Sequence, residues 1–192
     1  MTTTVFHGLY SGTGNAKLGH RVGVVNRLPG ATCPGASEWC ARECYAKRGQ
    51  TRMKHPLYAT RYIELPASLP ALVRFHASGD FDTQEYIDWS IFVVREYRST
   101  MFWAYTRSWT VPTLLPSLEI LRAEPNMQLF ASTDATMPDR PPAGWRIAYI
   151  QGDVRYTGIG MTCLEQTGKM RDCNSCTYCF RKPRGHVEFI TH

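Results

Sequence analysis

The sequence predicts an α/β protein with mostly parallel strands. Between residues 72 and 153, short β-type runs alternate with stretches of helical periodicity. Parallel neighbours need a crossover long enough to hold a helix, so this alternation implies parallel pairing. A second observation sets the scale: 192 residues, 43% of them hydrophobic, suit one domain around one core. A third bears on chemistry. Seven cysteines fall into two groups, three at 33–44 and four at 163–179, both outside the alternating core.

The first thirty residues are rich in turn formers around one apolar run, Val22-Gly23-Val24-Val25, which reads as a first strand. Gly12 and Gly14 do not complete a phosphate-binding fingerprint, because no helix pattern follows a strand there. The first cysteine loop occupies residues 31–48, and Tyr58 to Ile63 reads as helical or irregular until Pro66 and Pro70 interrupt it. Leu72 to Ala77 is then a strand, Ser78 to Asp82 a turn, and Thr83 to Arg98 a helix. Ile87, Ile91, Val94 and Tyr97 give that helix its spacing, and Thr83 is its N-cap. Met101 to Thr106 is a strand, Pro116 to Glu124 a short helix carrying Leu118, Ile120 and Leu121, and Met127 to Ser132 a further strand. A passage with Pro138, Pro141 and Pro142 leads to a strand at Trp145 to Ile150, closing the β/α core of residues 72–153.

These strands end in polar residues. In α/β sheets and barrels, ligands bind at the carboxyl ends of the strands. His76, Ser78, Asp80, Tyr105, Arg107, Ser132, Asp134 and Asp153 are therefore expected to line one cofactor or substrate pocket. Turn-forming Asp, Ser and Gly also occur wherever strands end, but four strands ending alike favour a pocket.

Cys163, Cys173, Cys176 and Cys179 form the stronger metal motif. A C-x2-C-x2-C run brings three thiolates to one side of a tight loop, and Cys163 is placed to supply a fourth. That spacing favours a 4Fe-4S cluster, with zinc the alternative. Cys33, Cys40 and Cys44, spaced C-x6-C-x3-C, have no obvious fourth partner. A zinc site would recruit His7, His20 or His55, whereas an incompletely ligated cluster would leave one iron open to a small molecule. Spacing alone also allows Cys163 to join the first set.

The net charge of +6 admits an anionic partner, nucleic acid among them, but no block of five like charges appears. The densest basic run, Arg181-Lys182-Pro183-Arg184, is broken by proline and reads as a solvated tail. No apolar run approaches the roughly 18 residues needed to cross a bilayer, and residues 1–7 lack a signal-peptide pattern. A cytoplasmic protein is expected, with clustered cysteines acting as metal ligands rather than as a disulfide framework.

Several segments resemble the phage gene product eighty-eight family. They are Gly14 to Leu18, Thr32 to Gly35 through Cys44-Tyr45-Ala46, Val73 to Phe81, Ala104 to Ser108, and Cys163-Leu164-Glu165-Gln166 with the C-x2-C-x2-C run. A phage source would make the compartment the host cytoplasm. More distantly, a cysteine loop with an adjacent aromatic feeding β/α repeats resembles the radical S-adenosylmethionine superfamily. Its usual spacing is C-x3-C-x2-C, and here the loop is longer and Tyr45 follows the last cysteine. That resemblance implies a partial (β/α) barrel with one or two 4Fe-4S clusters. An open cluster on Cys33, Cys40 and Cys44 would then chelate S-adenosylmethionine. Asp80, Arg107 and Asp134 become catalytic candidates, Asp80 toward an ammonium and Arg107 toward a carboxylate. The rival expectation is a non-enzymatic iron-sulfur or zinc regulatory protein that binds host machinery or nucleic acid through its basic surface.

Overall fold

The computed structural model describes residues 9–11, 16–47, 67–181 and 185–191. Its centre is an eight-stranded sheet in the order β1-β2-β3-β4-β5-β6-β8-β7. The strands are β1 (Leu9–Ser11), β2 (Val22–Val25), β3 (Leu72–Phe75), β4 (Met101–Thr106), β5 (Met127–Thr133), β6 (Arg146–Ile150), β7 (Gly160–Thr162) and β8 (His186–Phe189). β1 pairs antiparallel with β2, and the pairings from β2 through β7 are all parallel. The expected α/β class and parallel pairing are thus present. The sheet is open, with β1 and β7 at its edges, so barrel-like closure is not seen.

Among the described residues the helices are α1 (Glu38–Arg42), α2 (Gln84–Glu96), α3 (Leu115–Ala123) and α4 (Cys173–Cys176), with 3-10 turns at Tyr45–Lys47 and Ser108–Thr110. Thr83 caps α2 as expected, its side chain accepting from the Tyr86 N–H. The segment 58–63 lies outside the described residues. β1, β7, β8, α1 and α4 carry no apolar periodicity long enough to announce them, being three to five residues each.

Alternation along the strands sorts the core. Val73 and Phe75 of β3, Phe102 and Ala104 of β4, and Met127, Leu129 and Ala131 of β5 face one side. There they pack against Tyr86, Ile87, Ile91 and Val94 of α2 and Leu118 and Leu121 of α3. Both long helices therefore lie on one face. The opposite face presents Val22, Val24, Leu72, Trp103, Tyr105, Phe130, Ala148 and Val187. It is covered by Leu18 and by the segment carrying Cys163, Cys173, Tyr178, Cys179 and Phe180. Burial on both faces explains why β2 and β5 read as near-continuous apolar runs.

Candidate metal centres

The first three cysteines sit at the carboxyl ends of β2 to β5. The ends of β2 and β3 are clamped by Arg27 N–H donating to Ser78 O at 3.0 Å and Ser78 Oγ donating to Arg27 O at 2.9 Å. Tyr45, directly after Cys44, donates its hydroxyl to the Ala77 carbonyl, tying the far end of the loop to β3. Between these ties the loop runs over the end of β4. A Cβ on Gly35 would stand 2.1 Å from the Arg107 carbonyl oxygen, so only glycine permits that approach. Ser37 then caps α1, its Oγ accepting from Cys40 N–H at 3.0 Å while donating to Asp134 Oδ2 at 2.5 Å.

Asp80, Arg107 and Asp134 form the wall beneath. Asp80 is buried, and its two oxygens accept from the amides of Phe81 and Arg107, each at 2.8 Å. The Arg107 guanidinium donates to Ser132 Oγ at 2.9 Å and Asp134 Oδ2 at 2.8 Å, while its Nε is buried without a hydrogen-bond partner. Asp134 Oδ1 accepts from the amide and hydroxyl of Thr136 at 3.0 and 2.6 Å. Burial pushes Asp80 up to about 6, against the hydrogen bonds it accepts from Thr106, Arg107 and Phe81. Burial also works to raise Asp134, but hydrogen bonds from Ser37, Thr136 and Arg107 hold it below the usual carboxylate range.

The three thiols feel one another and this wall. Burial pushes Cys33 up to about 11, with Asp80, Cys40 and Cys44 adding to the rise. Cys40 is raised by burial and eased by the positive charge of Arg107, with Cys44, Asp134 and Asp80 acting upward. Of the histidines considered as a fourth ligand, His20 is exposed, and His7 and His55 lie outside the described residues.

The other four cysteines surround a cavity on the sheet face away from α2 and α3. About 460 Å³ of space, continuous with solvent, is lined by Cys163, Cys173, Cys176 and Cys179 together with Lys17, Arg74, Tyr105, Glu165 and Tyr178. The cysteines come from different backbone elements. Cys163 follows β7, its amide donating to Glu188 O at 2.8 Å. Cys173 and Cys176 bracket α4, whose N-cap Asp172 accepts from Ser175 N–H at 2.8 Å. Thr177 then takes the left-handed conformation, φ 61°, turning the chain so that Cys179 comes back to the same cavity. Arg146 of β6 holds the far side, donating to Gln128 Oε1 at 2.9 Å and to the Cys179 carbonyl at 3.1 Å, over the ring of Phe130 at 4.1 Å.

Cys163 lines the same cavity as Cys173, Cys176 and Cys179. Burial pushes Cys173 up to about 12 and Cys179 up to about 11, the latter eased by a hydrogen bond from Tyr105. Among the described residues, no three His, Cys, Asp or Glu side chains converge on one point that would hold a single ion. The four cysteines instead line the cavity among mostly apolar neighbours. Sulfur dominates the donors there. The one carboxylate, Glu165, stands 3.0 Å from Lys17 Nζ, though not aligned as a hydrogen bond. The donor set fits a thiolate-ligated metal group.

The expected single pocket is divided. Asp80, Arg107, Ser132 and Asp134 join the first cysteine loop, and Tyr105 faces the second site. Strand residues alternate between faces, and Tyr105 falls on the opposite side from Thr106. His76 is buried under α2, its Nε2 2.9 Å from Tyr86 Oη and its ring edge-on to Phe81 at 4.5 Å. Desolvation, with Arg27 and Arg74 nearby, holds it well below the usual imidazole range. Ser78 is spent on the β2–β3 clamp, and Asp153 pairs with Arg155 at 2.7 Å. Sequence reasoning missed Ser37, Gly35, Arg74, Arg146 and Asp172. Ser37 and Asp172 each stand at an N-cap position before a cysteine-bearing turn, and Arg74 and Arg146 are charges inside apolar strands; those signals were readable.

The fold and its two cysteine sites define an α/β protein with an open, predominantly parallel sheet and cysteine-lined centres at a strand-end edge and on one face. Residues 61–182, well over half of the chain, match the family described as Gene product 88. The chain belongs to that family. It is 26% identical over 144 residues to the Gene 88 protein of Mycobacterium phage D29, covering 59% of this chain and 58% of that one. The Gene 88 protein of Mycobacterium phage L5 is 27% identical over 144 residues, covering 59% of each. The chain thus spans under two thirds of the length of these relatives. No solved structure matches. The likeness to the radical S-adenosylmethionine superfamily draws no support from these comparisons. Among the described residues, no helix is long and apolar enough to cross a membrane.

Proposed function

We propose that this chain is an iron-sulfur protein with two centres, one closed by four thiolates and one left open by three. The carrying observation is that Cys163, Cys173, Cys176 and Cys179, drawn from a strand end, a helical turn and a left-handed bend, line one cavity. Four sulfur donors around one space are what a closed 4Fe-4S cluster requires. Cys33, Cys40 and Cys44 lie within electrostatic reach of one another at the strand-end edge, and would hold the second cluster.

At the open centre, a bound cluster supplies one-electron transfer and a free iron position for the amino and carboxylate groups of a ligand such as S-adenosylmethionine. The protein's part is orientation. The Arg107 guanidinium spends two of its five N–H donors on Ser132 and Asp134, which leaves donors, the buried Nε among them, for a ligand carboxylate. Asp80 fixes the Arg107 backbone, and Asp134 holds both the Arg107 guanidinium and the loop through Ser37. A binding or regulatory protein without turnover uses the same two centres but requires no ligand at the open one.

The test is iron, sulfide and zinc per chain after anaerobic reconstitution, with the visible spectrum. Iron and acid-labile sulfide, reduced by about half in a Cys173→Ser/Cys176→Ser variant and by the other half in a Cys40→Ser/Cys44→Ser variant, is the expected result. Zinc without sulfide would replace this reading with a zinc-stapled fold. Binding of S-adenosylmethionine, with 5′-deoxyadenosine released under reduction, separates the enzyme from the regulator.

A further inference from the structure

The four-cysteine cavity contains a cation whose presence the thiols alone do not explain. Two basic residues line it, Lys17 and Arg74. Lys17 is matched by Glu165 at 3.0 Å. Arg74 rises from β3, in the otherwise apolar run Leu72-Val73-Arg74-Phe75, and its Nε is buried with no hydrogen-bond partner. Among the described residues it has no carboxylate in ion-pair range; its guanidinium lies over the ring of Tyr105 instead, 5.0 Å from the centroid. Tyr105 in turn packs beside Cys179 and lines the same cavity. A guanidinium at a partly desolvated wall costs free energy unless negative charge stands opposite. Neutral thiols do not provide that charge. Thiolates around a metal cluster do, and reduction of the cluster by one electron adds one more negative charge.

Resting on the iron-sulfur reading above, we propose that Arg74 and Tyr105 form a charge-compensating pair for the four-cysteine centre. Arg74 favours the more negative, reduced state, and Tyr105, packed beside Cys179, holds the guanidinium plane in place and would turn its hydroxyl toward a Cys179 thiolate. Both act in one direction, raising the reduction potential of this centre relative to an unassisted four-thiolate cluster. The pair are positioning residues that tune an electron-transfer centre.

The experiment is a potentiometric titration of the anaerobically reconstituted full chain, dithionite supplying the electrons, with each cluster followed by its electron paramagnetic resonance signal. Arg74→Gln is expected to move the potential of one cluster to more negative values and leave the other unmoved. Arg74→Lys, which keeps the charge, moves it less, and Tyr105→Phe moves it in the same negative direction. Equal potentials in wild type and Arg74→Gln at equal iron and sulfide content would overturn the proposal while leaving the iron-sulfur reading intact. A wild-type chain that takes up zinc alone sinks both. If Arg74→Gln fails to retain the cluster, Arg74→Lys and Tyr105→Phe decide: potentials identical to wild type in these two overturn the pair's role.

Discussion

Ser37 and Asp134 are 97 residues apart in sequence, yet the serine hydroxyl donates to the carboxylate at 2.5 Å while accepting from the Cys40 amide. One hydroxyl thereby caps the helical turn that carries a cysteine and anchors that turn to the end of β5. Ser37→Ala removes both. The loss should cost about 1–2 kcal/mol in urea denaturation of the metal-free chain. It should also lower metal occupancy at Cys33, Cys40 and Cys44 while sparing the four-cysteine centre. An unchanged midpoint and unchanged occupancy would show that the contact carries no load.

Gly35→Ala tests the approach of the loop to β4. The added methyl would meet the Arg107 carbonyl at 2.1 Å and the Ser108 nitrogen at 2.9 Å, both backbone atoms that cannot swing aside. The loop must lift, so a destabilisation of about 2 kcal/mol or more is expected, with loss of first-site metal and a retained far-ultraviolet circular dichroism spectrum. Wild-type metal content in this variant would contradict the close approach.

Asp80 makes stability depend on pH in a defined direction. Its folded pKa, about 6, is raised above the ordinary 3.8 by burial. The folded chain therefore holds a proton that the unfolded chain has released between these values. The contribution is fully present below about pH 4 and lost as pH rises through about 6, on the order of 3 kcal/mol. Asp134 runs the opposite way: its folded pKa is lowered, so its contribution is present above the ordinary value and fades as acid is added. Thermal melts of metal-free Asp80→Asn against wild type from pH 4 to 7 should show a flatter profile in the variant. Parallel profiles would remove Asp80 as the titrating group.

The turn at the second site offers a pair of opposed substitutions. Asp172→Ala uncaps α4 and should cost about 1 kcal/mol, with weaker metal retention at Cys173 and Cys176. Thr177→Gly relieves a left-handed threonine and should stabilise the metal-free chain by up to about 1 kcal/mol. Urea midpoints moving in opposite directions are the check; a destabilised Thr177→Gly would refute the assigned conformation.

Much of the sheet was legible because long apolar alternation has few alternative readings. β3 to β6 and α2 follow from period and caps alone, and so does their parallel pairing. The site was legible only in its residue types. Strand-end polar residues looked equivalent in sequence, yet the pleat sends Tyr105 to the opposite face from Thr106, and the turn at His76 folds the imidazole under α2. That Cys163 lines the cavity of the later cysteines depends on β7, a three-residue strand whose only signal is its pairing with β8. Nothing local announces such a pairing.

That pairing has a consequence for how the molecule is made. β8 lies between β6 and β7, so the strand leading into Cys163 has no berth in the sheet until residues 186–189 have left the ribosome. Three of the four sulfurs can gather as soon as the C-x2-C-x2-C turn is synthesised, but the fourth waits for a later stretch of chain. Assembly of the four-cysteine cavity is therefore ordered by translation, with Cys163 the last of the four side chains to take its place.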